Sequence, residues 1–349
     1  MKIKTTEAAI LVASNSDLIL DEIQFPEKLS SGQVLVELIT SGICGAQINE
    51  IDAVKGPDRF LPHLLGHEGY ARVLEVGDSV STVKEGDEVV MHWRPGSGAE
   101  SKPPSYTWRD KPLNAGWVTT FNRHAIVSEN RLTQIDANDV NPNLIPLLGC
   151  ALTTALGVLE NEAKVNFRDH LLIFGAGGVG LTLLKVAKFM NVSKVTIVDI
   201  NQERLAVARA LGADRAILFE SKEQVLSQIF AHKDWGLPNV AIDTSGNVSA
   251  IEICYESTQP EARIVLVGVP RFGETVKIYT LPLHFGKSMI GSKGGGSIPN
   301  TDIPALLGLL KAKRIDFSDF PTKSFEFQEI NNALTSLREG LVGRAILKF

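Results

Sequence analysis

The 349-residue sequence predicts an α/β protein of two domains, a mostly β domain followed by a doubly wound parallel sheet. Three observations carry this. Residues 1–150 hold short β-rich runs separated by Gly, Pro and Asp turns. Beyond them, apolar strands alternate with segments of helical period, the pattern of parallel strands joined by crossover helices. A glycine-rich loop stands between strand and helix at the head of that alternation. With 44% apolar and 21% charged residues, the chain can fill two cores of ordinary size.

In order along the chain, Val34–Ile39 and Ala71–Val76 read as strands, bounded by turns such as Val76-Gly-Asp and Glu85-Gly-Asp. The second domain runs from a strand at His170–Phe174 through a helix to about Met190 and a strand at Lys194–Asp199. A helix at Gln202–Leu211 and strands at Ala216–Phe219, Val240–Asp243 and Ala262–Gly268 continue the series. Ile303–Ala312 and Ile330–Arg338 are helical in pattern, and Arg344–Phe349 reads as a closing strand. That tail is too short for a core of its own. The expected organisation is therefore 1–150, 151–293, and a segment 294–349 that returns to the first domain.

Composition excludes several classes of function. A net charge of −5, from 35 basic and 40 acidic residues, lacks the positive footprint of a nucleic-acid binder. No apolar run approaches the ~18 residues of a membrane span. Three scattered cysteines (Cys44, Cys150 and Cys254) make no disulfide framework and suit a reducing compartment, with cytoplasm as the expectation.

The loop Gly175-Ala-Gly177-Gly178-Val179-Gly180 follows an apolar strand and opens a helix. Gly175 allows the tight turn, Gly177 lets backbone approach a pyrophosphate, and Gly180 lets helix and strand pack closely. Asp199 ends the next strand 19 residues after Gly180. A carboxylate there accepts from ribose hydroxyls and repels a 2′-phosphate, so NAD is expected over NADP. Arg204, five residues on, is the one nearby cation that could serve a phosphate.

Cys44 and His67 lie 23 residues apart, in Gly42-Ile-Cys44-Gly45 and Gly66-His67-Glu68-Gly69, and Cys150 precedes Gly175 by 25 residues. Two thiolates and an imidazole form a catalytic type of zinc set, because three protein ligands leave a fourth position open. These features together resemble the zinc-dependent alcohol dehydrogenases of the medium-chain dehydrogenase/reductase superfamily. The resemblance covers essentially the whole chain, including Cys150-Ala-Leu-Thr-Thr154, Ile264-Val-Leu-Val267-Gly268 and the ending Gly343-Arg344-Ala-Ile-Leu. It implies a GroES-like catalytic domain and a Rossmann NAD-binding domain. It also implies Cys44, His67 and Cys150 as zinc ligands, with Glu68 as a carboxylate beside the metal. Thr154 and Val267 would flank the nicotinamide, and Arg344 would reach the pyrophosphate. Cys254 falls on a cofactor-domain helix, where a buried thiol is ordinary core.

The sequence also departs from that family. Where a relay hydroxyl usually stands there is Ala46; a common Asp is replaced by Gln47, and a common His by Asn49. The remaining proton-handling candidates are Glu68, His92 and a water held by Asn49. Residues 93–108 lack the four cysteines that hold a structural zinc in many relatives, so one zinc per chain is expected. Trp93 and Phe121 match substrate-pocket positions, whereas Tyr106, Trp108 and Trp117 read as staples of a metal-free loop.

The resulting expectation is a zinc- and NAD-dependent oxidoreductase acting on a small alcohol or carbonyl compound, as a homodimer or homotetramer without nucleic-acid or membrane partners. Two other readings remain open: a zinc-independent reductase of the same fold, and a non-catalytic dinucleotide sensor. The ligand-type residues oppose the first of these, while Ala46 and Gln47 favour the second.

Overall fold

The computed structural model describes residues 1–231, 233–340 and 342–349, and the chain divides into two units. The first comprises Met1–Thr153, Ile298–Arg314 and Thr322–Phe349; the second comprises Thr154–Ser297 and Ile315–Pro321.

The first unit opens with strands β1 (Thr5–Leu11), β2 (Ile19–Gln24) and β3 (Gln33–Ile43), helix α1 (Gly45–Ile51), and strands β4 (His63–Leu64) and β5 (Glu68–Val76). It continues with β6 (Glu88–His92), β7 (Tyr106–Trp108), β8 (Lys111–Leu113), β9 (His124–Ser128) and β10 (Leu132–Gln134), and reaches helix α2 (Ala151–Gly157). The second unit holds β11 (His170–Phe174), α3 (Gly178–Phe189), β12 (Lys194–Asp199), α4 (Gln202–Ala210), β13 (Arg215–Leu218) and α5 (Lys222–Ala231). It is completed by β14 (Val240–Asp243), α6 (Val248–Glu256), β15 (Arg263–Leu266) and β16 (Ser288–Gly291). The tail supplies α7 (Pro299–Lys311), β17 (Thr322–Glu326), α8 (Ile330–Arg338) and β18 (Arg344–Lys348).

In the first unit, β3 organises the larger sheet, whose order is β10-β6-β5-β3-β18-β17. One edge of β3 pairs antiparallel with β5, while the other is shared by β9 along Gln33–Glu37 and by β18 along Thr40–Ile43. Side chains alternate across a strand. Val34, Val36 and Leu38 accordingly enter one core, with Val73, Val89 and Met91, while Leu35 enters another with Ile10 and Ile23. A third core is closed by α8, whose Ile330, Ala333 and Leu334 follow helical spacing and pack with Ile43, Phe327 and Leu347. A second sheet runs β4-β1-β2-β7-β8.

The second unit is a parallel sheet in the order β13-β12-β11-β14-β15-β16. Every residue of β11 is buried, as expected of a central strand covered on both faces. From β11 the chain proceeds outward to β12 and β13, then returns to β14 on the other side. This reversal creates the switch point where doubly wound sheets bind ligands. The glycine loop, Asp199 and Val267 all lie at the carboxyl ends of these strands.

The tail does not belong wholly to the first unit, which corrects the boundary expected at 294–349. Residues 315–321 join the second unit, where Ile315, Phe317 and Phe320 are buried and Lys185 of α3 pairs with Asp319 at 2.7 Å. Among the described residues no helix is long and apolar enough to cross a membrane.

Candidate metal centre and dinucleotide loop

Cys44, His67 and Cys150 meet in the first unit. Cys44 caps α1 just beyond the end of β3, and His67 precedes the start of β5. These strands run antiparallel with Ser41 opposite Gly69, so the end of one lies beside the start of the other. Cys150 follows a short 3-10 turn, Ile145–Gly149, that crosses β5 and β6. The crossing needs Gly149, because a Cβ there would collide with the Met91 carbonyl oxygen. The three donor atoms lie within 4.8 Å of one another, and both cysteines are buried.

The fit to a metal can be tested on His67. Its Nδ1 is 2.5 Å from Gln47 Nε2, whereas its Nε2 is buried with no hydrogen-bond partner. A buried unpartnered ring nitrogen is costly. Facing two sulfurs, it completes a donor set suited to Zn²⁺ with an open fourth position. The hydrogen bond from Cys150, with help from His67 and Arg344, holds the Cys44 thiol well below the ordinary thiol range. The Cys150 thiol is pushed up by the same contact and by burial.

Glu68 and Arg344 form a fully buried pair beside these ligands, Nη1 to Oε1 at 3.3 Å. Burial raises the Glu68 carboxyl above its usual range, although the guanidinium opposes that rise. Glu68 Oε2 and Arg344 Nε and Nη2 have no hydrogen-bond partner. Arg344 therefore stands beside the candidate metal ligands as the counter-charge of Glu68, a role that the expected pyrophosphate contact did not include. The signal in the sequence was a lone cation opening the apolar run Ala345-Ile-Leu.

Two further expected residues are held by their surroundings. Both ring nitrogens of His92 are engaged: Nδ1 bonds the Arg94 carbonyl at 2.7 Å, Nε2 bonds Thr133 Oγ1 at 3.0 Å, and burial lowers its pKa to about 4. The Phe121 side chain, expected in a substrate pocket, is wholly buried in the core with Ala9, Leu11 and Leu65, and its backbone bonds both Ala9 and Leu65. Asn49 lies half-buried on α1, and Trp93 is half-buried with the Arg94 guanidinium 5.5 Å from its ring centroid.

Two of the three aromatic residues expected to staple the 93–108 loop are anchored: Tyr106 is buried and accepts from the Ile126 amide, and Trp108 donates to Asp21 at 2.8 Å. Trp117 is 44% exposed. Glu129 ties the loop as well. Its Oε2 accepts from the Ala99 amide at 2.7 Å, while Oε1 accepts from the amides of Ser81 and Thr82 at 2.7 Å each.

In the second unit, Gly175 turns with φ of 98° after β11, and Gly177 caps α3, which begins with Gly178, Val179 and Gly180. A Cβ on Gly180 would strike the Gly175 carbonyl oxygen, so glycine is required for the close approach of helix to strand. Asp199 Oδ2 accepts from the Ala176 amide inside the loop. Arg204 is half-buried in the first turn of α4. Thr154 is buried on α2, and the Val267 amide donates to the Asp243 carbonyl just past β15.

Comparison with known proteins agrees with this arrangement. Residues 30–137 match the family described as alcohol dehydrogenase GroES-like domain, and residues 178–312 match zinc-binding dehydrogenase. An S-(hydroxymethyl)glutathione dehydrogenase of Escherichia coli is 26% identical, covering 99% of this chain and 100% of that protein. The benzyl alcohol dehydrogenase of Acinetobacter calcoaceticus superposes with a TM-score of 0.87 at 25% identity, covering 99% of this chain and 100% of that one. An alcohol dehydrogenase of Escherichia coli CFT073 solved with NADH has a TM-score of 0.81 at 23% identity, again with 99% and 100% coverage. Two domain matches that jointly span more than half of the chain, in the order of its two units, leave one assignment: the chain belongs to the zinc-dependent alcohol dehydrogenases of the medium-chain dehydrogenase/reductase superfamily, and is an oxidoreductase.

Proposed function

We propose that the protein interconverts a small primary or secondary alcohol and its carbonyl compound, using NAD and one zinc ion held by Cys44, His67 and Cys150. The observation that carries this reading is the buried, unpartnered His67 Nε2 gathered with two sulfurs within 4.8 Å. When bound there, zinc supplies a Lewis acid that makes an alcohol hydroxyl easier to ionise. The two thiolates balance the charge of the divalent ion, and Arg344 offsets Glu68. The centre is therefore close to neutral.

On the cofactor side, the Gly175–Gly180 backbone and the start of α3 suit a pyrophosphate. Asp199 is placed to accept from ribose hydroxyls while holding the loop, and Thr154 and Val267 are the nicotinamide candidates. An alanine at position 46 cannot carry a proton, and the hydrogen bonds that engage both His92 nitrogens favour Glu68 and a water held by Asn49 over His92 for that task. A single zinc is expected because residues 93–108 contain no cysteine and Glu129 holds that loop.

The chain is expected to act in the cytoplasm as a homo-oligomer. Phe272, Tyr279, Phe285 and Ile290 are exposed on and before β16, at the end of the sheet order. Apolar side chains grouped at a sheet edge favour association.

The test is NADH formation across a panel of alcohols and polyols, with zinc quantified in the same protein. About one zinc per chain with turnover supports the reading. NAD binding with no zinc and no turnover would overturn it in favour of a sensor.

A further inference from the structure

We propose that Gln47 makes the zinc of this centre exchangeable, because one carboxamide oxygen is required by two hydrogens at once. The inference rests on the zinc reading above and concerns how firmly that ion is kept.

Gln47 is almost fully buried on α1, between the backbone of one ligand and the ring of another. Its Oε1 accepts the Cys44 amide hydrogen at 2.9 Å, and its Nε2 faces His67 Nδ1 at 2.5 Å. A carboxamide nitrogen is only a donor, so in this arrangement Nδ1 accepts and the single hydrogen of a neutral ring sits on Nε2. With Nδ1 against Gln47, Nε2 is the ring nitrogen left to face the two sulfurs. A ring that binds a cation through Nε2 carries its hydrogen on Nδ1 and needs an acceptor there.

Turning the amide over would supply that acceptor, but the NH₂ group would then face the Cys44 N–H, donor against donor. Either orientation leaves one buried group of the ligand frame unsatisfied. A carboxylate at this position has an oxygen for each hydrogen and escapes the conflict. Gln47 is thus a positioning residue that favours the metal-free arrangement of His67, so zinc occupancy, and with it turnover, should follow the supply of free zinc.

Zinc release from loaded wild type and Gln47→Glu to the chromophoric chelator 4-(2-pyridylazo)resorcinol tests this directly. Support of metal ligands by outer partners typically changes affinity by about 10–100-fold. Release from Gln47→Glu is expected to be slower by a factor in that range. Equal or faster release from a variant with unchanged circular dichroism overturns the inference. Should that variant fail to fold, long-range ¹H–¹⁵N spectra of metal-free wild type decide. Hydrogen on Nε2 of His67 supports the inference, and hydrogen on Nδ1 overturns it. Cys44→Ser separates the two levels: full zinc retention would overturn the zinc reading and this inference together. Loss of zinc there, alongside unchanged release from Gln47→Glu, would overturn this inference alone.

Discussion

The carboxylate of Asp199 accepts the Ala176 amide hydrogen at 2.6 Å and the Asn201 amide hydrogen at 2.8 Å. The acid that ends β12 therefore also fixes the second residue of the glycine loop after β11. Hydrogen bonds to a charged group contribute about 1.5–3 kcal/mol each. Asp199→Asn should lower NAD affinity by roughly 10–100-fold and narrow any preference over NADP. Fluorescence titration with both dinucleotides measures this, and unchanged affinities would remove Asp199 from cofactor binding.

Gly180→Ala should disable the second unit selectively. Its methyl group would collide with the Gly175 carbonyl oxygen, backbone against backbone, with no flexible side chain to yield. Dinucleotide binding should be lost, whereas zinc content, which depends on the first unit, should persist. A variant that binds NAD normally would show that the loop relaxes around the methyl group.

Glu129→Ala removes the acceptor shared by Ala99, Ser81 and Thr82. Burial alone would raise this carboxyl, yet those amides bring it below its ordinary range. Its contribution to stability is thus present above the ordinary carboxyl value and lost as pH falls through the lowered one. Leaving several part-buried donors without their charged acceptor should cost about 1–3 kcal/mol. Limited proteolysis should then cut within residues 94–105 while zinc stays near one per chain. A drop in zinc that tracks loop cleavage would point to a metal in that loop.

His92 and His170 predict acid sensitivity in each unit. Burial is the main cause in both, lowering each pKa from 6.5 to about 4. Between those values the unfolded chain binds protons that the folded histidines refuse, so stability falls as pH drops and the loss is complete below about 4. The effect is roughly 3 kcal/mol per histidine. Urea midpoints at pH 7 and pH 4.5 test it. His92→Gln should flatten the first unit's share of the dependence, and an unaltered dependence would assign it to other groups.

The fold class was legible because the parallel sheet writes itself as unbroken apolar runs. β11 is buried along its whole length and leaves no polar alternation to obscure it. The β domain was harder to delimit: Val34–Ile39 is only the middle of an eleven-residue strand, extended by pairing with β18 from the far end of the chain. The burial of Phe121 and His92 was not legible for a common reason. Residue type and family position suggest a role, but burial is decided by distant segments, here Leu65 and Ala9 for one and Thr133 for the other. Gln47 was readable as a substitution. Its conflict was not, because that needs the Cys44 amide and the His67 ring in one frame.

The placement of β18 bears on how the polypeptide emerges from the ribosome. Cys44, His67 and Cys150 are synthesised early, but the guanidinium facing Glu68 arrives only after the whole interposed nucleotide-binding sheet has been translated. Nascent chains fold broadly from the N-terminal side. Until that last strand is made, Glu68 lacks the guanidinium that faces it in the finished fold, and the β3 edge between Thr40 and Ile43 lacks its partner. Delivery of the last strand is what turns that provisional assembly into a finished one.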